Sequence, residues 1–372
     1  MNILIVTSYY VPHLSGLTLY VKSLADALTG NGHRVDILTN RHSVTLSPEE
    51  QITQIKIHRL HANFHIGKSP VSLSLIKKSI SLLKGKDLVI LNLPSLESVP
   101  VALLTKLYRK KLLVIHHCDP IVAGPFGGLF TLFATISNFW ASLLANKIVS
   151  YTKDYASHSP VLSHFLHKVV YVLPPIHSYP PLRDKSQQIA KLVGQHKFKI
   201  GFAGRFAADK GIAYLLEAIP LMEKKIQDFV IVFAGPRHPV GETYYNSLSG
   251  LLTKYTDRLI FLDSIDPKDM GSFYSNIDVL VLPSVNRTES FGMVQVEALL
   301  SKVPLVSSNI PGVRQVIKIT DGGVLVSPKS KEEIAAGIIK VLSDKGSYQG
   351  HGLNLFSLQN FSKSISSLIS SI

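Results

Sequence analysis

One cysteine, Cys118, stands in 372 residues. It excludes an intramolecular disulfide framework and suits a reducing compartment. Acidic residues are scarce as well: 25 Asp and Glu face 39 Lys and Arg, a formal net charge of +14. No zinc-ligand spacing, RNP motif or aromatic-interleaved basic run accompanies that excess, so a nucleic-acid partner is not expected. The dinucleotide fingerprint G-x-G-x-x-G is missing, and so is any D-x-D. The first residues, MNILIVTSYY, lack the charged start and cleavage site of a secretory signal. They read as a first strand, and a cytoplasmic protein is expected.

Charge is also absent from Pro120 to Asn146. That run is long enough to cross a bilayer. Pro120, Gly124, Pro125, Gly127 and Gly128 interrupt its first third, and the remaining GLFTLFATISNFWASLLA carries Thr, Ser and Asn. A buried or interfacial helix is the expectation, with Trp140 and the nearby Phe residues suited to shallow insertion. The basic excess leans toward the first half: residues 1–180 hold 17 Lys and Arg against 8 Asp and Glu, the remainder 22 against 17. Clusters such as Lys77–Ser79 and Arg109–Lys111 sit at the ends of helical patterns. They fit a solvated face or peripheral attraction to anionic lipid on the inner face of the cell membrane.

What the chain does contain is an alternation of short apolar runs with amphipathic stretches. NILIVTS, RVDILTN, IKIHRL, DLVILNL, KLLVIHH, KIVSYT and VVYVLPP read as buried strands of a largely parallel sheet. After the Pro-rich passage Pro174–Asp184 the pattern restarts with FKIGFAG, FVIVFAG, RLIFLDS, DVLVLPS, PLVSSN and GGVLVS. Two consecutive α/β units predict two facing Rossmann-like domains, 1–177 and 178–354, with a ligand crevice at the carboxyl ends of the strands. The last helical pattern, 355–372, has no strand to follow and is expected to pack back on the first domain.

TESFGMVQVEA, Thr288 to Ala298, follows the strand DVLVLPS and opens a helix. The free N–H groups of Phe291, Gly292 and Met293 at its start favour an anion. Glu289 and Glu297, eight positions apart, are turned about 80° from a shared face, so they suit separate parts of one extended ligand. The alternatives are a capping box over Asn286–Glu289, with Glu289 as a cap, and a solvated Glu297. In FKIGFAGRFAADKG, Arg205 and Lys210 flank a turn after a strand and suit a diphosphate, or else pair on the surface with Asp209 or Glu217. Gly16 near the first helix start is weak support for phosphate approach. KLLVIHHCDP runs a strand into His116, His117, Cys118 and Asp119, where no second ligand cluster supports a metal. A polar group facing the crevice is the reading adopted there.

This combination resembles the GT-B-fold retaining glycosyltransferases of glycosyltransferase family 4 (group 1). The resemblance is carried by SGLTLYVKSLADALTGNGHRVDILT, LVIHHCDP, GFAGRFAADKG and PSVNRTESFGMVQVEALLSKVPLVSSNIPGV. It implies metal-independent transfer of a hexose, without a cofactor, from a UDP- or GDP-linked donor to a hydroxyl; the basic first half makes a glycan or lipid-linked acceptor of the cell envelope the expectation. Arg205 and Lys210 would hold the diphosphate, aided by the backbone of Phe291, Gly292 and Met293, with Gly16 permitting approach. Glu297 would accept from the ribose, Glu289 would contact the transferred sugar, and His117 would face that sugar. Loops Tyr9–Leu17 and Gly124–Leu132 would shape the acceptor side. Three departures stand out: Ser15-Gly16 in place of a glycine pair, Lys302 before Val303-Pro304, and Asp263 where glycine is common. A nucleotide-sugar epimerase or a non-catalytic sugar-nucleotide-binding protein on the same fold is the competing reading.

Overall fold

The structure, a computed structural model, describes residues 1–66, 69–122, 124, 126–238 and 243–372. It divides into two compact units, one of Met1–Pro175 with Phe356–Ile372 and one of Ile176–Leu355. The first crossing therefore falls two residues ahead of the expected 177/178 boundary.

In the first unit the strands are β1 (Asn2–Thr7), β2 (Arg34–Asn40), β3 (Glu49–Ile52), β4 (Ile55–Leu60), β5 (Phe64–Ile66) and β6 (Ser69–Val71), then β7 (Leu88–Leu93), β8 (Lys111–His116), β9 (Lys147–Ser150) and β10 (Val169–Tyr171). One sheet runs β10-β9-β8-β7-β1-β2-β4-β3, and β5 and β6 form a separate hairpin. All its neighbours are parallel except the edge pair β3–β4. The apolar runs that mark the parallel strands are continuous because helices cover both faces; every residue of β7, LVILNL, is buried. The antiparallel β3, EEQI, is exposed throughout and carries no such signal, so the sequence reading missed it. Helices α1 (Gly16–Gly30), α3 (Ser98–Leu107) and α4 (Gly127–Leu144) follow strands of this sheet, and α2 (Leu73–Leu83) follows the β5–β6 pair.

The C-terminal helix Leu358–Ser370 packs on α1 within the same unit. Phe361, Ile365, Leu368 and Ile369, at helical spacing, form its buried stripe. Phe361 meets Tyr20 edge-on at 5.3 Å, and Asn31 Nδ2 donates to Ser366 Oγ at 2.7 Å.

The second unit repeats the plan more regularly. Strands β11 (Phe198–Ala203), β12 (Phe229–Ala234), β13 (Leu259–Phe261), β14 (Val279–Leu282), β15 (Leu305–Ser308) and β16 (Gly323–Val326) lie in the order β13-β12-β11-β14-β15-β16. All are parallel. The chain winds outward from β11 to β13, then returns to β14 on its other side. That reversal between β11 and β14 is the switch point where open α/β sheets take their ligands. The two segments singled out by sequence, 204–210 and 284–293, leave the carboxyl ends of these two strands.

Candidate functional site

From β11 the chain passes Gly204 and Arg205, makes a single tight turn over Ala208–Lys210, and enters the short helix Ile212–Glu217. Gly211 joins turn to helix at φ +68°; a Cβ there would lie 2.0 Å from the Pro283 carbonyl oxygen. Only glycine lets this turn press onto the end of β14. Val285 N then donates to Asp209 O at 2.9 Å. Above that backbone contact, Lys210 Nζ donates to Glu289 Oε2 at 2.5 Å, joining residues 79 positions apart. Thr288 Oγ1 approaches Asp209 Oδ2 at 3.4 Å, and Arg205 Nη2 lies 3.4 Å from the same oxygen. The surface pairing with Asp209 weighed from the sequence thus occurs for Arg205, while Lys210 turns to Glu289.

Lys210 and Glu289 are 17% and 15% exposed. Burial on its own would lower the Lys210 ammonium; Glu289 and Asp209 outweigh it and hold the group above its ordinary value. Lys210 is therefore a fixed cation at neutral pH, poised at one acidic partner.

The helix after this loop spans Met293–Leu300, two residues shorter at its start than the sequence suggested. Its N-cap is Gly292 at φ +76°, with no side-chain cap, so the capping box over Asn286–Glu289 does not form. Asn286 instead makes a local turn, its Oδ1 accepting from Thr288 N and Oγ1 at 3.0 and 2.7 Å. That turn aims Glu289 at Lys210. Gly292 has a packing reason beside any ligand: a Cβ would stand 2.4 Å from Leu282 Cδ2. Phe291 is buried, and its carbonyl accepts from Gln295 Nε2, which also donates to Val313 O, at 2.7 and 3.2 Å. The fully buried Gln295 thereby pins the uncapped helix start, leaving its first N–H groups directed outward along the axis. Close by in sequence and sheet, Ser284, Ser307 and Ser308 at the carboxyl ends of β14 and β15 bury hydroxyls that find no partner among the described residues. Unsatisfied buried hydroxyls are costly unless something else meets them.

Glu297 is half-buried and receives the Tyr274 hydroxyl at 2.8 Å on Oε2. Burial raises its carboxyl above the ordinary range, with the Tyr274 bond opposing. It is neither a solvated position nor in direct contact with the Lys210–Glu289 pair.

In the first unit, Gly16 is exposed as the first residue of α1. Ser15 caps that helix, accepting from Thr18 N at 3.2 Å while its own N–H meets Thr18 Oγ1 at 2.9 Å. His117 is held by neighbours within its own unit. It is 5% exposed, with Nδ1 2.5 Å from the Tyr151 hydroxyl, Nε2 2.9 Å from Asn92 Oδ1, and its ring edge-on to Tyr20. Burial, then the charge of His116, push it down to about 3, so the imidazole is neutral. Here both ring nitrogens are engaged within the first unit, by Asn92 of β7 and by Tyr151 just after β9. His116 and Asp119 form a second buried pair at 3.1 Å. Among the described residues no three His, Cys, Asp or Glu gather as a metal could require. Pro125, within the expected acceptor stretch Gly124–Leu132, lies outside the described residues.

Two departures from the family pattern keep a glycine's backbone. Asp263 and Lys302 adopt φ of +52° and +63°. Asp263 uses its side chain to hold Arg237 by two bonds of 2.6 and 2.9 Å, and Arg237 lies over Phe261. Sequence reasoning missed Tyr274, Gln295 and the Asp209–Thr288 contact. Asn286 with Thr288 two residues on is a turn signature that could have located the last.

Residues 184–352 match the Glycosyl transferases group 1 family. An uncharacterized glycosyltransferase of Methanocaldococcus jannaschii is 27% identical over 377 residues, covering 93% of this chain and 90% of that one. Among solved structures, sucrose-phosphate synthase from Thermosynechococcus elongatus aligns with a TM-score of 0.80 at 18% identity, over 100% of this chain and 98% of that one. HepE from Anabaena, solved in complex with UDP-glucose, aligns at 0.76 and 18% identity over 100% of both chains. The family's match thus lies on the unit that carries the Lys210–Glu289 pair, an uncharacterized glycosyltransferase is matched almost from end to end, and the chain has the GT-B fold.

Proposed function

We propose that the chain transfers a hexose from a nucleotide-sugar donor to a hydroxyl of a glycan or lipid-linked acceptor, retaining the anomeric configuration and using no metal. The observation that carries this reading is the Lys210–Glu289 contact. It brings a cation and a carboxylate, from two distant loops, to the switch point of one sheet, beside an uncapped helix start. A diphosphate needs the cations and the helix N–H groups; a sugar hydroxyl needs the carboxylate. UDP as the nucleotide draws support from HepE, whose structure holds UDP-glucose, while GDP stays within the reading.

In this mechanism Arg205 and Lys210 bind the diphosphate and the N–H groups of Gly292 and Met293 add partial positive charge. As the glycosidic C–O bond breaks, its electron pair passes to the departing phosphate oxygen. In this reading those donors meet the charge where it develops. The acceptor hydroxyl attacks on the same face and gives its proton to that phosphate oxygen. Glu289 orients the sugar, and Glu297 accepts from the ribose.

Purified protein is tested with UDP- and GDP-hexoses. Saturation at 100 times Kd adds about 2.7 kcal/mol to folded-state stability, a clear rise in Tm. An acceptor-dependent product with unchanged anomeric configuration, undiminished by a chelator, is expected. Epimerised sugar without an acceptor, or inversion, would overturn the reading.

A further inference from the structure

The uncharged run is a helix, α4, with two unlike faces. Leu129, Leu132, Phe133, Ile136, Trp140 and Leu143 are all exposed, Trp140 by 50%. At 100° per residue these six fall within an arc of about 100°. Gly127, Asn138, Ala141 and Ser142, on the opposite arc, are buried against the unit. By length and composition α4 could cross a membrane, yet its inner face packs on α3 and β8. Leu103 and Leu107, exposed on α3, extend the apolar surface.

One end of this surface is basic. Lys168 Nζ donates to Leu143 O at 2.7 Å, at the last turn of α4, and Lys106 Nζ donates to Asn146 Oδ1 at 2.8 Å. Burial, then the charges of Lys168 and Lys111, lower the Lys106 ammonium, so the three lysines are electrostatic neighbours. Neither α3 nor α4 contains an acidic residue. We infer that this α4 face, with Lys106, Lys111 and Lys168 at its end, docks on an anionic lipid surface, the apolar stripe entering shallowly and the lysines resting at the headgroups. Such a stripe beside a cluster of one sign is what an interfacial helix uses. A second copy of the chain would bring the same positive cluster to the contact and be repelled. The inference stands apart from the donor chemistry and from its test.

Trp140 is the single tryptophan, so its emission reports on this face alone. Full-length protein is titrated with phosphatidylcholine vesicles, with and without 30 mol% phosphatidylglycerol (about a third anionic, enough for a strong surface potential). The expected result is a blue shift and co-sedimentation with the anionic vesicles, reversed by high salt. Lys111→Gln/Lys168→Gln and, separately, Leu132→Gln/Phe133→Gln should each weaken partitioning by about tenfold or more, with unchanged circular dichroism. No shift with either vesicle overturns the inference. So does a shift that follows protein concentration without lipid, which means self-association. Equal, salt-insensitive binding to both vesicles overturns it as well.

Discussion

Replacing Lys210 with methionine removes an ammonium while keeping most of its stem, and it strands Glu289. Breaking a buried ion pair on one side costs about 3–5 kcal/mol, whereas an exposed pair is worth about 0.2–1. With both side chains about one-sixth exposed, Lys210→Met should cost about 2 kcal/mol. In a unit of this size that lowers Tm by about 4–8 °C. Lys210→Met/Glu289→Leu should regain most of the loss, because no charge is left unpartnered. Donor affinity tells a different story. Loss of charge-assisted bonds to the diphosphate, about 1.5–3 kcal/mol, weakens binding by about 10- to 150-fold in both variants. Thermal melts and calorimetric titration with UDP read the two effects separately. Strictly additive melts would mean that the pair does not form in solution. Unchanged UDP affinity in Lys210→Met would refute the assignment of Lys210 to the diphosphate.

Glu289→Gln should lower turnover by about 100-fold or more while UDP binds as well or better, since Lys210 is released from its carboxylate; steady-state kinetics beside titration decide this. At Glu297, burial raises the carboxyl above 4.5. The folded state keeps a proton that the unfolded chain releases, so this group's contribution falls as pH rises from 4.5 through the folded value. Glu297→Gln should flatten that slope and melt no lower at pH 7, yet bind nucleotide more weakly; melts across pH 4 to 7 and titration with UDP check both. His117 runs the other way: its folded value of about 3 lies below the ordinary 6.5, so stability is present above 6.5 and lost as pH falls toward 3. The loss approaches about 1.4 kcal/mol per pH unit, and His117→Gln should remove it in acid unfolding curves. Lys302→Gly, relieving a left-handed residue, should stabilise by about 0.5–1 kcal/mol, read as a Tm gain of a few degrees.

Much of the architecture was legible because parallel strands must be apolar on both sides. FVIVFA of β12, like LVILNL of β7, is buried at all six positions. β3 was not legible, since an exposed antiparallel edge carries no periodic apolar mark. At the site, positions could be read but orientations could not. Glu289, Lys210 and Arg205 were all flagged, yet which carboxylate each cation meets depends on the Gly211 turn lying against Pro283, a contact no spacing encodes. The contacts of His117 were illegible for a related reason. A histidine ending a strand looks alike whether it leaves the sheet or turns inward to a tyrosine and an asparagine; Tyr151 lies 34 residues away and Asn92 25. Glu297 was placed on the right helix, but its dependence on Tyr274, 23 residues earlier, was invisible.

The return of the last helix to α1 governs the order in which this chain can mature. The Asn31–Ser366 bond spans 335 residues, so on the ribosome α1 must wait, its apolar side uncovered, until the whole second unit has been synthesised. That second unit is anchored at both ends and can reach its own native state first. Premature termination just ahead of residue 356 would then leave a well-formed 176–355 body attached to an incomplete neighbour. The exposed α1 surface would be an early site for chaperone capture or aggregation.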